Sequence, residues 1–346
     1  MKSIAKEKVS MTSLSFLETL PDDILYSILE CDHLEAFHLI QLFGTSSHLL
    51  SKNRYISSSK NEKSICIRIT GENIQKVGRI IRRFKAYILF SGRISHDPLI
   101  SDVSNLRDIH SLVIVKCPKI TDVSPLGSVH NLTLSFCDGI TDVSKLGTVH
   151  TLTLEQCRGI SDVSHLGSVH DLTLVNCINI TDVSSLGTVH TLALYYMDKI
   201  VDISALGTVR TLTLYYMYNV VDLSGLGTVH NLTLHSCECI RDVSALGTHG
   251  RIHSLTIMNC AGITDVSALS SIHALTLMSC KGITDVSALG SVHILSLEYC
   301  EGILDVSALG SVHILSLEYC RGIKDVSSLR SVYKLIIKDC PNITQF

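Results

Sequence analysis

The segment LGSVHNLTLSFCDGITDVSK, residues 126–145, recurs about twelve times between residues 100 and 346. Its aspartate returns at the same place in every unit, from Asp102 to Asp325, and three additional residues interrupt the series near Gly250. A fixed short period is typical of a solenoid, in which each unit contacts only its neighbours. Such a fold offers a long surface and no enclosed catalytic cleft by default, so binding is the first function to expect.

Apolar residues within the unit predict one short strand followed by one tight return. Leu132 and Leu134 are two residues apart, so they share one face of a strand. One unit cannot bury its apolar residues alone, but stacked units bury them as continuous ladders beneath a parallel sheet. In the return, we expect Ser124 to cap the turn, Gly127 to end it with positive φ, and Asp122 to accept hydrogen bonds from backbone amides.

Most of the thirteen cysteines occupy one position of the repeat, which Met197 and Met217 fill in two units. A position that accepts methionine needs a soft, buried side chain rather than a metal-ligating thiolate or a disulfide. We therefore predict a ladder of free, buried thiols in a reducing compartment. The cysteines at this position are Cys117, Cys137, Cys157, Cys177, Cys237, Cys260, Cys280, Cys300, Cys320 and Cys340.

The unit reads L-x-L-x-x-C-x-x-I-x-D-V-S-x-L, which resembles leucine-rich repeats of the cysteine-containing, internalin-like kind. The resemblance covers residues 100–346. It implies an α/β leucine-rich-repeat solenoid with short parallel strands on its concave side and 3₁₀ or extended returns on its convex side. Residues 64–99 differ, because alternating isoleucines from Ile65 to Ile69 precede apolar residues at helical spacing from Ile74 to Phe84. We expect this segment to be a degenerate unit with a helix that caps the stack.

The chain before the repeats predicts a flexible N-terminus in residues 1–15 and a small module of short amphipathic helices in residues 16–55. The motif LPDDILYSIL, residues 20–29, resembles an F-box, although residues 42–46, LFGTS, lack the basic residue and tryptophan of that family's usual ending. The resemblance implies docking on a Skp-family adaptor of cullin-RING ubiquitin ligases, with an unknown target protein held on the concave repeat face. The alternative is a stand-alone binding scaffold, for which this segment is only a helical cap. The implied adaptor-docking residues are Leu20, Pro21, Ile24, Leu25, Ile28 and Leu29.

Two aromatic groups depart from the small polar residues that flank most strands. Large side chains with a polar tip are frequent at the centres of protein interfaces, so we predict that these groups contact a partner. The alternative for the tyrosines is that they only cover the sheet. The candidate residues are Tyr195, Tyr196, Tyr215 and Tyr216 in the first group, and Glu298, Tyr299, Glu318 and Tyr319 in the second, acidic group.

A histidine precedes most strands, and Arg210 and Tyr333 replace it in two units. Parallel imidazoles suggest a zinc site, or a switch in which the rings charge together below about pH 6.5. Because arginine and tyrosine substitute in this row, we favour a half-exposed polar ladder without a metal. The histidines are His110, His130, His150, His170, His190, His230, His253, His273, His293 and His313.

Composition and motifs argue against several other functions. The formal net charge is −3 and the basic cluster at residues 79–85 is small, so a nucleic-acid partner is not expected. No apolar run reaches the roughly 18 residues of a membrane span, and residues 1–15 lack the apolar core of a secretory signal. We therefore expect a cytoplasmic or nuclear protein without membrane association. The ladders repeat one residue type instead of bringing unlike groups together, so we expect neither enzyme activity nor a cofactor.

Overall fold

Fourteen parallel strands form one sheet, and each strand pairs with the strands that precede and follow it in the chain. The computed structural model describes residues 64–84, 89–248 and 250–344; the N-terminal segments predicted in residues 1–15 and 16–55 lie outside them. The strands are β1 (Ser64–Arg68), β2 (Leu89–Ser95), β3 (Ser111–Val115), β4 (Asn131–Ser135), β5 (Thr151–Glu155), β6 (Asp171–Val175), β7 (Thr191–Tyr195), β8 (Thr211–Tyr215), β9 (Asn231–His235), β10 (Ser254–Met258), β11 (Ala274–Met278), β12 (Ile294–Glu298), β13 (Ile314–Glu318) and β14 (Lys334–Lys338).

Neighbouring units stack in register, so each repeat position forms a ladder. Leu132 lies opposite Leu152, and Leu134 lies opposite Leu154. Along β5, buried and half-buried residues alternate, which leaves one face of the sheet towards the core and the other towards solvent. The buried residues of the described units form one continuous apolar core between the sheet and the returns. This arrangement confirms the predicted parallel solenoid.

Most returns are short 3₁₀ helices, as the twenty-residue unit predicts. Val123 stands at the N-cap of its return and makes no side-chain cap bond. The expected serine cap is therefore wrong. Instead, Asp122 Oδ1 accepts a 2.8 Å hydrogen bond from the backbone N–H of Ser124, which confirms the predicted role of the aspartate. The 3₁₀ helices are Ser104–Leu106, Ser124–Ser128, Ser144–Thr148, Ser164–Ser168, Ser184–Thr188, Ser204–Thr208, Ser224–Leu226, Ser267–Ser271, Ser287–Ser291, Ser307–Ser311 and Ser327–Ser331.

The glycine of the return has a different role from the one expected. Among the described glycines only Gly250 has positive φ, so Gly127 does not end its helix in the left-handed conformation. A Cβ atom on Gly127 would instead overlap the backbone carbonyl oxygen of Lys145 in the next unit. Glycine is needed here because neighbouring returns approach too closely for a side chain.

The three additional residues near Gly250 change one return and leave the sheet intact. The return becomes a short α-helix, α2 (Ser244–Thr248). The other described α-helix, α1 (Ile74–Phe84), lies earlier in the chain. Thr248 Oγ1 donates to the carbonyl oxygen of Ala245 in its own return, whereas Thr148 Oγ1 donates to Gly127 in the preceding unit. The strands on either side still pair in register, with Leu255 opposite Leu232. The predicted bulge is therefore confined to the return side.

Residues 64–99 continue the sheet at its N-terminal end. Strand β1 pairs with β2, and β2 pairs with β3. Helix α1 lies between β1 and β2 and packs against the 3₁₀ helix Ser104–Leu106. Its residues Val77 and Ile81 are fully buried, so the helix covers this end of the apolar core. None of the described helices is long and apolar enough to cross a bilayer.

Candidate protein-binding surface

The residue that follows each strand from β2 to β14 adopts a left-handed backbone conformation, with φ between 49° and 56°. The backbone N–H of Tyr196 donates a 3.0 Å hydrogen bond to the carbonyl oxygen of Tyr215, at the end of the next strand. Phe136 donates in the same way to Glu155. This hydrogen bond extends the ladder by one residue while the chain turns towards the core. The last residue of the strand and the left-handed residue after it therefore both lie along the same edge of the sheet.

Four of the predicted partner-binding residues meet at the ends of β7 and β8. The rings of Tyr196 and Tyr216 are stacked, with centroids 4.8 Å apart. The rings of Tyr195 and Tyr215 lie 5.3 Å apart and are tilted. Tyr215 and Tyr216 meet edge to face at 4.7 Å. The structure thus joins these four tyrosines into one continuous aromatic group.

Two further rings extend this group. His235 stacks on Tyr215 with centroids 4.0 Å apart, and Tyr218 lies 5.9 Å from Tyr216. His235 was missed in the sequence, although it occupies the strand position that Tyr195 and Tyr215 hold in the two preceding units and could have been found by aligning the repeats. We refer to the six rings as the aromatic platform, which comprises Tyr195, Tyr196, Tyr215, Tyr216, Tyr218 and His235.

Three members of the aromatic platform have shifted pKa values that favour their neutral forms near neutral pH. Partial desolvation lowers the pKa of His235, which favours the neutral imidazole. Desolvation, followed by the neighbouring tyrosines, raises the pKa of Tyr215. Desolvation also raises the pKa of Tyr218, and the carboxylates of Glu238 and Asp198 add to this rise. The surface is therefore aromatic at its centre and negative at this edge.

Parts of the aromatic platform remain open to solvent. Tyr196 is 41% exposed and Tyr218 is 39% exposed. These two rings keep exposed area that a partner could bury.

The second predicted group forms a smaller patch on β12 and β13, separate from the aromatic platform. The rings of Tyr299 and Tyr319 are stacked, with centroids 4.4 Å apart. Lys338 Nζ lies 3.3 Å from Glu318 Oε2 and 5.6 Å from the centroid of the Tyr319 ring. Because Lys338 already pairs with Glu318, this patch is less negative than its glutamates alone suggest.

Buried thiols of the cysteine ladder donate hydrogen bonds and have raised pKa values. Cys157 Sγ donates to the carbonyl oxygens of Leu134, in the preceding unit, and of Glu155, at 3.4 and 3.5 Å. Burial raises the pKa of Cys157 to about 12 and that of Cys320 to about 12, so these thiols stay protonated and unreactive near neutral pH. The ladder cysteines are free thiols that are buried as predicted, except for the half-buried Cys340, and they also donate to backbone carbonyls at the turn.

The histidine row is a stacked ladder along the rim of the sheet. Adjacent rings from His110 to His190 have centroids 4.4 to 4.7 Å apart. A second stack from His230 to His313 continues to Tyr333, which lies 4.6 Å from His313. Most of these rings are half-buried or exposed, in agreement with the predicted polar ladder. The predicted adaptor-docking residues, from Leu20 to Leu29, lie outside the described part of the chain.

Comparisons with known proteins give similarities of fold at low sequence identity. No family model and no curated protein matches this chain. The functional domain of InlJ from Listeria monocytogenes, which includes a cysteine ladder, is 18% identical, with a TM-score of 0.39 over 78% of this chain and 70% of that one. A leucine-rich-repeat protein of Leptospira interrogans is 10% identical, with a TM-score of 0.46 over 81% and 88%. The leucine-rich-repeat domain of the type III effector XopL is 14% identical, with a TM-score of 0.32 over 65% and 75%.

All three TM-scores lie below 0.5. The repeat architecture of this chain follows from its own residues. Most units have an L-x-L strand, a turn with a buried cysteine or methionine, and a short return held by an aspartate. Successive units add one parallel strand each to a single sheet. This architecture fits a leucine-rich-repeat solenoid.

Proposed function

We propose that this chain is a protein-binding scaffold and that the aromatic platform is its principal contact surface. The observation that carries the proposal is the contact of six aromatic rings at the ends of β7, β8 and β9, where the matching last strand position of the other units from β3 to β14 holds Val, Ser, Glu, Met or Lys. Tyrosine supplies large contact area at a small cost in conformational entropy and is enriched in interface hot spots.

The charges around the aromatic platform indicate the chemistry of the partner. The carboxylates of Glu238 and Asp198 are close enough to Tyr218 to raise its pKa electrostatically. A partner segment that carries arginine could place its guanidinium over a tyrosine ring and its charge near these carboxylates. We therefore propose a basic segment as the contacting part of the target protein.

Paired substitutions test this surface once proximity labelling with the intact chain has identified a candidate partner. Tyr196→Asn/Tyr216→Asn removes two rings, and asparagine already occupies the same left-handed position at Asn176 and Asn259. We expect the dissociation constant to rise by roughly 30-fold or more, the effect of losing an interface hot spot. The matched control is Tyr299→Asn/Tyr319→Asn, which removes the other stacked pair. Equal affinities of both variants and the wild type would contradict the proposal.

We further propose that the chain is the substrate-recognition subunit of a cullin-RING ubiquitin ligase. The LPDDIL motif at residues 20–25 supports this role, which requires no chemistry from the chain itself. The mechanism is a high effective concentration of the target near the ligase. The test is recovery of a Skp-family adaptor by the full-length chain and by Ile24→Asp/Leu25→Asp. Loss of recovery in the variant is expected, while equal recovery leaves only the stand-alone scaffold.

A further inference from the structure

One position of the histidine row differs from the rest in its chemistry. In the first stack, the Nδ1 atoms of His130, His150, His170 and His190 each lie within 3.3 Å of a side-chain oxygen of the following residue. In β3–β14 this following residue is Ser, Asn, Thr, Ala, Ile or Lys, with Asp171 as the single acid. A carboxylate therefore joins the imidazole ladder at one place only among these units.

Asp171 lies between the rings of two neighbouring units. Its Oδ1 is 3.0 Å from His170 Nδ1, and its Oδ2 is 3.9 Å from His150 Nδ1. The two imidazole rings are stacked with centroids 4.6 Å apart. One nitrogen or oxygen atom from each of the three side chains lies within 4.8 Å of the others, and no other such group of three occurs in residues 64–84, 89–248 and 250–344.

The three side chains of this group are all open to solvent. The His150 and His170 side chains are each 46% exposed and that of Asp171 is 37% exposed, so an ion can reach them from solvent.

We propose that His150, His170 and Asp171 form a Zn²⁺ site, with water as the fourth ligand. Two imidazole nitrogens and one carboxylate oxygen are a common ligand set for zinc with one open position. Zn–N bonds near 2.1 Å imply ligand atoms roughly 3.4 Å apart in a tetrahedron. The side chains must therefore converge by about 1 Å, which their exposure permits. Because the ligands come from two units, bound zinc would hold these units together.

Isothermal titration of zinc chloride into the full-length chain tests the site. The protein is purified without a histidine tag and carries Cys239→Ser, since Cys239 is exposed and could bind zinc itself. We expect saturable binding of one ion and a zinc-dependent rise in melting temperature. Asp171→Thr, which reproduces the side chain of Thr151 and Thr191, should weaken binding by roughly 10–100-fold, at least the effect of losing a group that orients a ligand.

Two further variants separate this site from weak binding along the whole histidine row. His253→Arg removes an imidazole far from Asp171, as Arg210 does naturally, and should leave zinc affinity unchanged. Asp171→Thr/Thr191→Asp moves the carboxylate one unit along, beside His170 and His190, and should restore binding. The proposal is overturned if the wild type shows no saturable binding, if Asp171→Thr binds zinc as the wild type does, or if the relocated carboxylate fails to restore affinity.

Discussion

The glycine found in most returns marks a close approach of neighbouring units, whereas Arg107, Ser270 and Arg330 fill this position in the other returns. A Cβ atom on Gly187 would overlap the carbonyl oxygen of Ala205 and come within 3.1 Å of Thr208 Oγ1. The oxygen belongs to the backbone of the next unit, so it can move only if the units separate. We expect Gly187→Ala to lower the free energy of unfolding by about 1–3 kcal/mol, the usual cost of overpacking.

Urea denaturation measures this change, with Ser185→Ala as the control. Ser185 lies in the same return, and alanine already occupies its position at Ala205. Ser270 fills the glycine position between two other units, so we expect Gly187→Ala to destabilise the stack without unfolding it. An unchanged midpoint would mean that close approach does not explain the glycine.

The left-handed residue at the end of each strand could not be predicted from the sequence. Left-handed positions usually select glycine or asparagine, but here they hold Lys116, Phe136, Gln156 and Tyr196 among others. The hydrogen bond from each of these N–H groups to the next strand outweighs the local preference. The four tyrosines of the aromatic platform were predicted because they break the repeat. Their edge-to-face contacts depend on this backbone geometry and became visible only in three dimensions, whereas His235 could have been found by aligning the repeats.

At the scale of the element, the cysteine turn combines burial with hydrogen bonding. The burial of the cysteine side chain could be predicted because Met197 and Met217 fill the same position in two units. The hydrogen bonds that the thiol donates to carbonyl oxygens could not be predicted, because methionine has no donor and its presence suggests a purely apolar site. Cys137 Sγ lies 3.4 Å from the carbonyl oxygen of Ser135, two residues earlier in the chain. The thiol therefore stabilises the turn by hydrogen bonding and also packs in the apolar core.

Alkylation with iodoacetamide at pH 8 should distinguish ladder thiols from exposed ones. Cys239 is exposed and should react quickly. Cys157 should react only after unfolding, because it is buried and its pKa of about 12 keeps it protonated at this pH. Peptide mass spectrometry measures each site, with a sample in urea as the control. Equal native rates at Cys157 and Cys239 would contradict the closed ladder.

At the scale of the whole molecule, His273 in the second imidazole stack should make stability depend on pH near neutrality. Desolvation, and then the charges of His253 and His293, lower the pKa of His273. A lowered folded-state pKa means that protonation favours the unfolded chain, so stability should begin to fall below about pH 6.5. His273→Tyr, which copies the stacked pair of His313 and Tyr333, should reduce this loss between pH 7 and 5. Melting temperatures in zinc-free buffer measure the effect, and an unaltered pH profile in the variant would refute it.

The aspartate row should produce a second loss of stability at lower pH. Hydrogen bonds from Ser184 lower the pKa of Asp182, and those from Ser204 lower the pKa of Asp202, although neighbouring aspartates in the row oppose the shift at Asp182. For a carboxyl group whose pKa is lowered in the folded state, the ionised form stabilises the fold and protonation favours the unfolded chain. The stabilisation is complete above the unfolded-state value of about 3.9 and disappears as pH falls through the folded-state values. Because the same bond recurs along the stack, many units should lose it over the same range.

Urea midpoints between pH 5 and 2 test this cooperative loss. Asp182→Asn/Asp202→Asn keeps an acceptor for each serine N–H but removes two titrating groups. We expect the double variant to lose less stability over this range than the wild type, while both unfold in a single transition because neighbouring units support one another. A variant whose stability falls as steeply as that of the wild type would show that the acid sensitivity arises elsewhere in the solenoid.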